Sequence, residues 1–276
     1  MKITVLIENS VGVLIPMGLL GEHGLSLWIE YENYKILFDT GQTGAVVDNA
    51  IRLGIDLKSA DFIVLSHGHY DHTGGLRRVL EYIGRPIDIY AHPDIFALHY
   101  VSSPVDRYIG IPFKKEELES LGARFKFLRE GKEIVPGVFF SGEVPRITPF
   151  EKVDERMYIK QEEGKIPDQI LDDASLFLKT EKGLVIVLGC AHSGVINIIE
   201  HAKKLTGVED IYAVVGGTHL GPASGKQVEE TLVKFAQMGI RVIAANHCTG
   251  LGVSAKFKEI FGAKFRFGAT GEVLSL

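Results

Sequence analysis

Apolar residues in this chain gather in short runs separated by polar turns, and the repeat inside the runs switches between two and about 3.6. Ile3 to Ile7 reads as a first strand, and Leu25 to Tyr31 with Lys35 to Phe38 reads as a hairpin turning at Glu32-Asn33. Val46 to Leu53 predicts a helix closed by Gly54, a favoured residue just past a helix end. Phe62-Ile63-Val64-Leu65 predicts a buried strand. Leu76, Val79, Leu80 and Ile83 then fall at helical spacing, and Ile87 to Ala91 predicts another strand. The second half has the same cadence. Ser175 to Thr180 and Leu184 to Leu188 form a hairpin around Lys182-Gly183, followed by a helix from Val195 to Leu205 and a strand from Ile211 to Val215. A helix from Gln227 to Met238, closed by Gly239, leads to a strand from Arg241 to Ala245. Strands that alternate with helices define an α/β (α+β) class.

Two stretches break the pattern. From about 101 to 173 the chain carries prolines at 104, 112, 136, 145, 149 and 167 and a charged run from Glu151 to Lys165. This predicts an irregular insertion, of the kind used as a lid or binding segment, with one short strand starting at Val138-Phe139-Phe140. The expected organisation is a single domain over 1–276 that contains this insertion. Val11 to Leu20 is apolar but interrupted by Gly12, Pro16 and Gly18, which makes it too short to span a bilayer. With Glu8 ahead of it and only Lys2 basic, it also lacks signal-peptide chemistry. An apolar loop and a cytoplasmic protein with no membrane partner are expected.

Composition narrows the classes of function. With 46% hydrophobic and 24% charged residues the chain can bury a sizeable core. A net charge of -5 with no Lys/Arg-rich block argues against a nucleic-acid-coating surface. The two cysteines, Cys190 and Cys248, rule out a disulfide framework, and each lies within two residues of a histidine.

The candidate chemistry sits at strand ends. His67-Gly68-His69-Tyr70-Asp71-His72 follows the Phe62–Leu65 run and precedes a helix. Residues two apart in extended chain point the same way, so His67 and His69 can grip one ion while Asp71 and His72 hold a second. Imidazoles mixed with a carboxylate suit zinc, iron or manganese. Three further strands end in Gly189-Cys190-Ala191-His192, Gly216-Gly217-Thr218-His219 and Asn246-His247-Cys248. Ligand sites in layered α/β proteins collect at carboxyl ends of strands. The turn of Gly216, Gly217, Thr218 and His219 is read as a phosphate or substrate loop before a helix N-terminus, with His219 as a donor or proton carrier. Arg107 and Arg146 could pair with a phosphate but are read as surface residues; His92 and His99 are assigned to structure or surface, and His201 to a solvent-facing helix position.

The His-x-His-x-Asp-His loop at 67–72 resembles the hallmark of the metallo-β-lactamase superfamily. That resemblance implies a four-layer αββα sandwich with two facing mixed β-sheets and two divalent metal ions at one edge, zinc first, with manganese, iron or magnesium as alternatives. It makes His67, His69, Asp71, His72 and His247 metal ligands, Asp71 also catalytic, and Asp39, in Asp39-Thr40-Gly41, an orienting residue. The middle motifs depart from the common pattern, which places a bridging aspartate where this chain has Gly189-Cys190. His192 is expected to complete the site with Cys190 in support; Cys190 itself and Glu143 are the alternatives. Together with Glu22-His23-Gly24-Leu25-Ser26, these turns resemble one branch, named for 7,8-dihydropterin-6-methyl-4-(β-D-ribofuranosyl)-aminobenzene-5′-phosphate synthase. The implied partner is a phosphorylated small molecule, in a condensation that releases diphosphate, and a homo-oligomer is compatible. A hydrolase of phosphodiesters, lactones or thioesters and a non-catalytic metal-binding protein remain the competing classes.

Overall fold

The structure, a computed structural model, describes residues 1–12, 17–102, 104–161 and 164–276. Part of the expected Val11–Leu20 loop, residues 13–16, and residues 162–163 of the charged run lie outside the described residues. Among the described residues no helix is long and apolar enough to cross a membrane. The chain divides into two compact units. One comprises Met1–Phe127, Asp154–Asp172 and Ala269–Leu276, the other Leu128–Val153 and Asp173–Gly268.

The first unit is built on a seven-stranded mixed sheet. Its order is Val273–Ser275, Lys2–Ile7, Ser26–Tyr31, Tyr34–Phe38, Phe62–Val64, Ile87–Ala91, Ala123–Phe127. The first four strands pair antiparallel and the remaining neighbours parallel. Helices Ala45–Arg52 and Leu76–Ile83 pack with this sheet in one apolar cluster: Val46 and Ala50 from the first, and Leu76, Val79, Leu80 and Ile83 from the second, meet Leu37, Ile63 and Ile89. All four apolar positions that predicted the second helix are thus inside. Each such side chain contributes roughly 1.5–3 kcal/mol on burial, so this stripe docks the helix. The parallel register Phe38↔Val64 and Val64↔Tyr90 brings three carboxyl ends to one edge, and the chain leaves that edge through Asp39, Ser66-His67 and His92.

The second unit carries its own seven-stranded sheet, in the order Phe265–Arg266, Val242–Asn246, Ile211–Gly217, Gly183–Leu188, Ser175–Thr180, Val138–Phe140, Lys132–Val135. Gly183–Leu188 is buried at every residue, as expected of a central strand made of one continuous apolar run. Helices Val195–Thr206, Gly225–Gln237 and Leu251–Phe261 join this sheet in a second apolar cluster that includes Ile186, Ile198, Leu232, Phe235 and Phe257. The registers Leu188↔Gly216 and Gly216↔Ala245 again align carboxyl ends, so the Cys190, His219 and His247 turns leave from one edge.

Gly216 shows how tight that edge is. Its φ is +115°, and a Cβ there would lie 2.0 Å from the Leu188 carbonyl oxygen on the paired strand. Gly216→Ala is expected to cost at least ~3 kcal/mol, because it combines a backbone clash with a strained φ. Chemical denaturation of the variant checks this; an unchanged midpoint would show that the strand end relaxes freely.

Two expectations from the sequence need correction. The stretch from about 101 to 173 is not irregular. It supplies the edge strand Ala123–Phe127 to the first sheet and Lys132–Val135 and Val138–Phe140 to the second. With His99–Ser102, it also builds an antiparallel sheet ordered Gly164–Pro167, Met157–Gln161, His99–Ser102, Asp106–Tyr108. Its strands are short and largely solvent-facing, so charged residues hide their period. His201 does not face solvent: its Nε2 lies 2.9 Å from the Ser141 carbonyl oxygen and its ring meets Phe177 edge-on. His92 and His99, assigned to structure or surface, are both buried and therefore structural.

Candidate metal centre

The His67–His72 loop is held by buried hydrogen bonds. Asp39 adopts φ +57° at the end of its strand, which turns its carboxylate toward the neighbouring strand end. One oxygen accepts from the Ser66 backbone N–H at 2.7 Å; the other accepts from the Ser66 hydroxyl at 2.7 Å and lies 2.7 Å from His72 Nδ1. Asp39 and His72 are both fully buried. A carboxylate on Nδ1 fixes the imidazole tautomer and turns Nε2 outward as a ligand. Ser66 Oγ stands 2.9 Å from His67 Nδ1 and orients the second ring in the same way. His67 Nε2 and His69 Nδ1 come within 3.0 Å, the separation two ligands of one ion approach. Asp71 Oδ2 is 3.9 Å from His72 Nε2 and 3.2 Å from His23 Nε2.

Burial, with the neighbouring His72 and His69, holds the His67 imidazole well below its ordinary range. Burial also brings His69 down to about 3, with His99 adding to the effect. Both rings are therefore neutral at physiological pH, the form that offers a lone pair to a cation. Behind them lies a network the sequence did not reveal. The Gly68 N–H donates to Asp172 Oδ2 at 2.7 Å. His99 Nδ1 lies 2.6 Å from Asp168 Oδ2, and its ring meets His69 edge-on at 5.5 Å. Burial pulls His99 down, but Asp172 and Asp168 outweigh it and raise the imidazole to about 9. Close backbone packing also demands glycine at 68, where a Cβ would sit 2.4 Å from the Ile95 carbonyl oxygen.

The second unit gathers a different donor set. Ligand atoms of Cys190, His192 and His219 lie within 4.8 Å of one another, as do those of Cys190, His247 and Cys248. The His192 and His219 rings are 4.1 Å apart. Burial alone would raise the Cys248 thiol, but Cys190, His219 and His247 outweigh it and hold it well below its ordinary range. The His192 turn is pinned by three side chains: Arg146 donates to the His192 carbonyl at 2.6 Å, the Ser193 N–H donates to Asp173 at 2.8 Å, and Asn197 Nδ2 donates to the Ser193 carbonyl at 2.8 Å. Arg146 is therefore a positioned residue and not a solvated one. Glu143 is paired with Arg129 and belongs to none of the metal-capable groups.

The expected phosphate loop looks different from its sequence. Gly216 and Gly217 lie inside the strand, and the space left by the missing Gly217 Cβ is taken by the Gly189 carbonyl oxygen and Cys248 Sγ. Thr218 is 2% exposed and bonds Thr249 through both its N–H and its hydroxyl. The glycines thus serve close packing of the chain on itself. His219, at φ +51°, keeps its ring in the imidazole–thiol cluster.

Glu151 caps the helix that follows the His192 turn. Its carboxylate accepts from the Ile196 and Asn197 N–H groups at 2.7 and 2.9 Å. Burial raises it to about 7, against the downward pull of those bonds. The unfolded carboxyl releases its proton near 4.5. Between these values the folded state binds more protons, so this residue's contribution to stability falls as pH rises from 4.5 to 7. The stability gap between wild type and Glu151→Gln should shrink across that window by a few kcal/mol, measured by denaturation at stepped pH. A constant gap would show that the carboxylate stays ionised.

The donor sets fit a bound divalent ion: neutral, oriented imidazoles in one unit, and imidazoles with thiols in the other. Comparison with known proteins agrees. Residues 20–200 match the profile of the Metallo-beta-lactamase superfamily. The chain belongs to this superfamily and is a metal-dependent enzyme of it. It is 35% identical, over 99% of its own length and 96% of the other, to the 7,8-dihydropterin-6-methyl-4-(beta-D-ribofuranosyl)-aminobenzene-5'-phosphate synthase of Methanocaldococcus jannaschii. Among solved structures it resembles Tm1679, a metal-dependent hydrolase of the beta-lactamase superfamily, with a TM-score of 0.86, 28% identity, and coverage of 100% and 99% of the two chains. Zn(2+)-bound PqqB from Methylobacterium extorquens shares the fold at a TM-score of 0.57 and 14% identity, over 100% of both chains. The α/β fold, with two mixed sheets and their helices, is the metallo-β-lactamase fold.

Proposed function

We propose that this enzyme joins a dihydropterin carrying a methyl diphosphate to a phosphorylated ribofuranosyl-aniline and releases diphosphate. The observation that supports this most is the 35% identity, nearly end to end, with the synthase of Methanocaldococcus jannaschii. The ligands in this reading are His67, His69, Asp71, His72, His192 and His247, for two divalent ions, zinc foremost. The ions would act as Lewis acids toward phosphoryl oxygens. Asp39 and Ser66 orient His72 and His67, and Arg146 and Asp173 position the His192 turn. Asp71 and His219 are the proton-handling groups, His219 delivering a proton to departing diphosphate. The protein works in the cytoplasm on small phosphorylated molecules, without nucleic acid or membrane, and a homo-oligomer fits.

A hydrolase is the second reading, favoured by the similarity to Tm1679. A turnover screen of the zinc-loaded protein separates the two. Diphosphate released only when the pterin and aniline partners are both present supports the synthase. Cleavage of phosphodiesters, lactones or thioesters, with no product from the pair, replaces it with a hydrolase.

A further inference from the structure

The chain's two cysteines sit in the same small volume of the second unit. Buried thiols ordinarily serve as small apolar packing residues. Here the surroundings are polar. Cys190 and Cys248 leave the carboxyl ends of the Gly183–Leu188 and Val242–Asn246 strands, into turns that also carry His192 and His247. Neither is in a disulfide. Cys248 Sγ accepts the His219 backbone N–H at 3.2 Å, a bond that favours negative sulfur. Its place is kept open by Gly217, where a Cβ would lie 2.6 Å from the sulfur. Among the described residues no hydrogen bond reaches either ring nitrogen of His219.

We propose that Cys190 and Cys248 are metal ligands and that, with His247, they bind a thiophilic divalent ion of the zinc class. This rests on the metal-enzyme reading above and adds two thiolates to its ligand set. The Cys190, His247 and Cys248 ligand atoms lie within 4.8 Å of one another. Ligands of a tetrahedral zinc ion stand roughly 3.3–3.8 Å apart, so small side-chain rotations suffice to close the trio on one ion. Cys190 also belongs to the trio with His192 and His219, which puts an imidazole at hand for a fourth position. On binding, each thiol gives its proton to solvent and its sulfur lone pair to the ion. Thiolate ligands select zinc over magnesium or manganese, which prefer oxygen.

The test is cobalt substitution of the full chain after chelation, read by absorption spectroscopy and metal analysis. Wild type should show a sulfur-to-cobalt charge-transfer band in the near ultraviolet. Cys190→Ser and Cys248→Ser should each lose about half of it, and the double variant all of it. Bound cobalt without the band, or a band that ignores either cysteine, overturns thiolate ligation while leaving the His67–His72 ligands standing. Failure to bind cobalt at all overturns both readings. Should the serine variants not fold, cadmium NMR of wild type gives the same answer: a downfield, sulfur-ligated resonance supports the proposal and an oxygen–nitrogen shift refutes it.

Discussion

Replacing His67 and His69 together by alanine is expected to leave the protein folded but without the ion those two imidazoles hold and without turnover. A structural zinc site is worth about 10–16 kcal/mol over four ligands, so two imidazoles carry ~5–8 kcal/mol, a loss of roughly 10⁴-fold or more in affinity. The fold should survive because both rings are lined by polar partners and neither belongs to the apolar cluster of the first unit. Metal content by plasma emission, with circular dichroism as the control for folding, measures this. Normal metal in a folded double variant would remove the two histidines from the ligand set.

Asp39→Asn should produce the second-largest effect, and through a different route. Asparagine tolerates the left-handed φ of +57° at this position and keeps one oxygen to accept from the Ser66 N–H. Its amide nitrogen cannot accept from His72 Nδ1, so the ring loses its tautomer and its aim. Metal affinity is expected to fall ~10–100-fold, as for other carboxylates behind metal-binding imidazoles. The buried mismatch should also cost about 1–3 kcal/mol of stability. Chelator competition and denaturation read the two effects separately. An unchanged affinity would mean that Ser66 alone holds the ring.

The strands and helices nearest the site were legible because their signals are local. A short apolar run followed by a polar turn marks these strand ends, and the apolar positions 76, 79, 80 and 83 match the buried face of Leu76–Ile83. The Gly225–Gln237 helix starts two residues earlier than the pattern suggests because Ser224 caps it, its hydroxyl accepting from the Gln227 N–H at 3.2 Å. No periodic signal marks the helix Leu251–Phe261. Leu251 and Ile260 are exposed while Phe257 is buried, so its apolar residues do not fall on one face. The side chains behind the histidines were invisible for another reason. Asp168 and Asp172 lie far from residues 67–72 in sequence, and an aspartate beside a charged run reads as solvated until the chain folds it onto His99 and Gly68. Only the adjacent pair Asp172-Asp173, just before an apolar strand, hinted that acidic groups would be drawn inside.

The strand Val273–Ser275 pairs with Lys2–Ile7, so the first unit closes on itself with residues from opposite ends of the sequence. During synthesis the second unit's segments, ending at Gly268, emerge before that closing strand exists. The nascent first unit must therefore wait with an open edge, a template for wrong partners until the ribosome delivers Val273–Ser275.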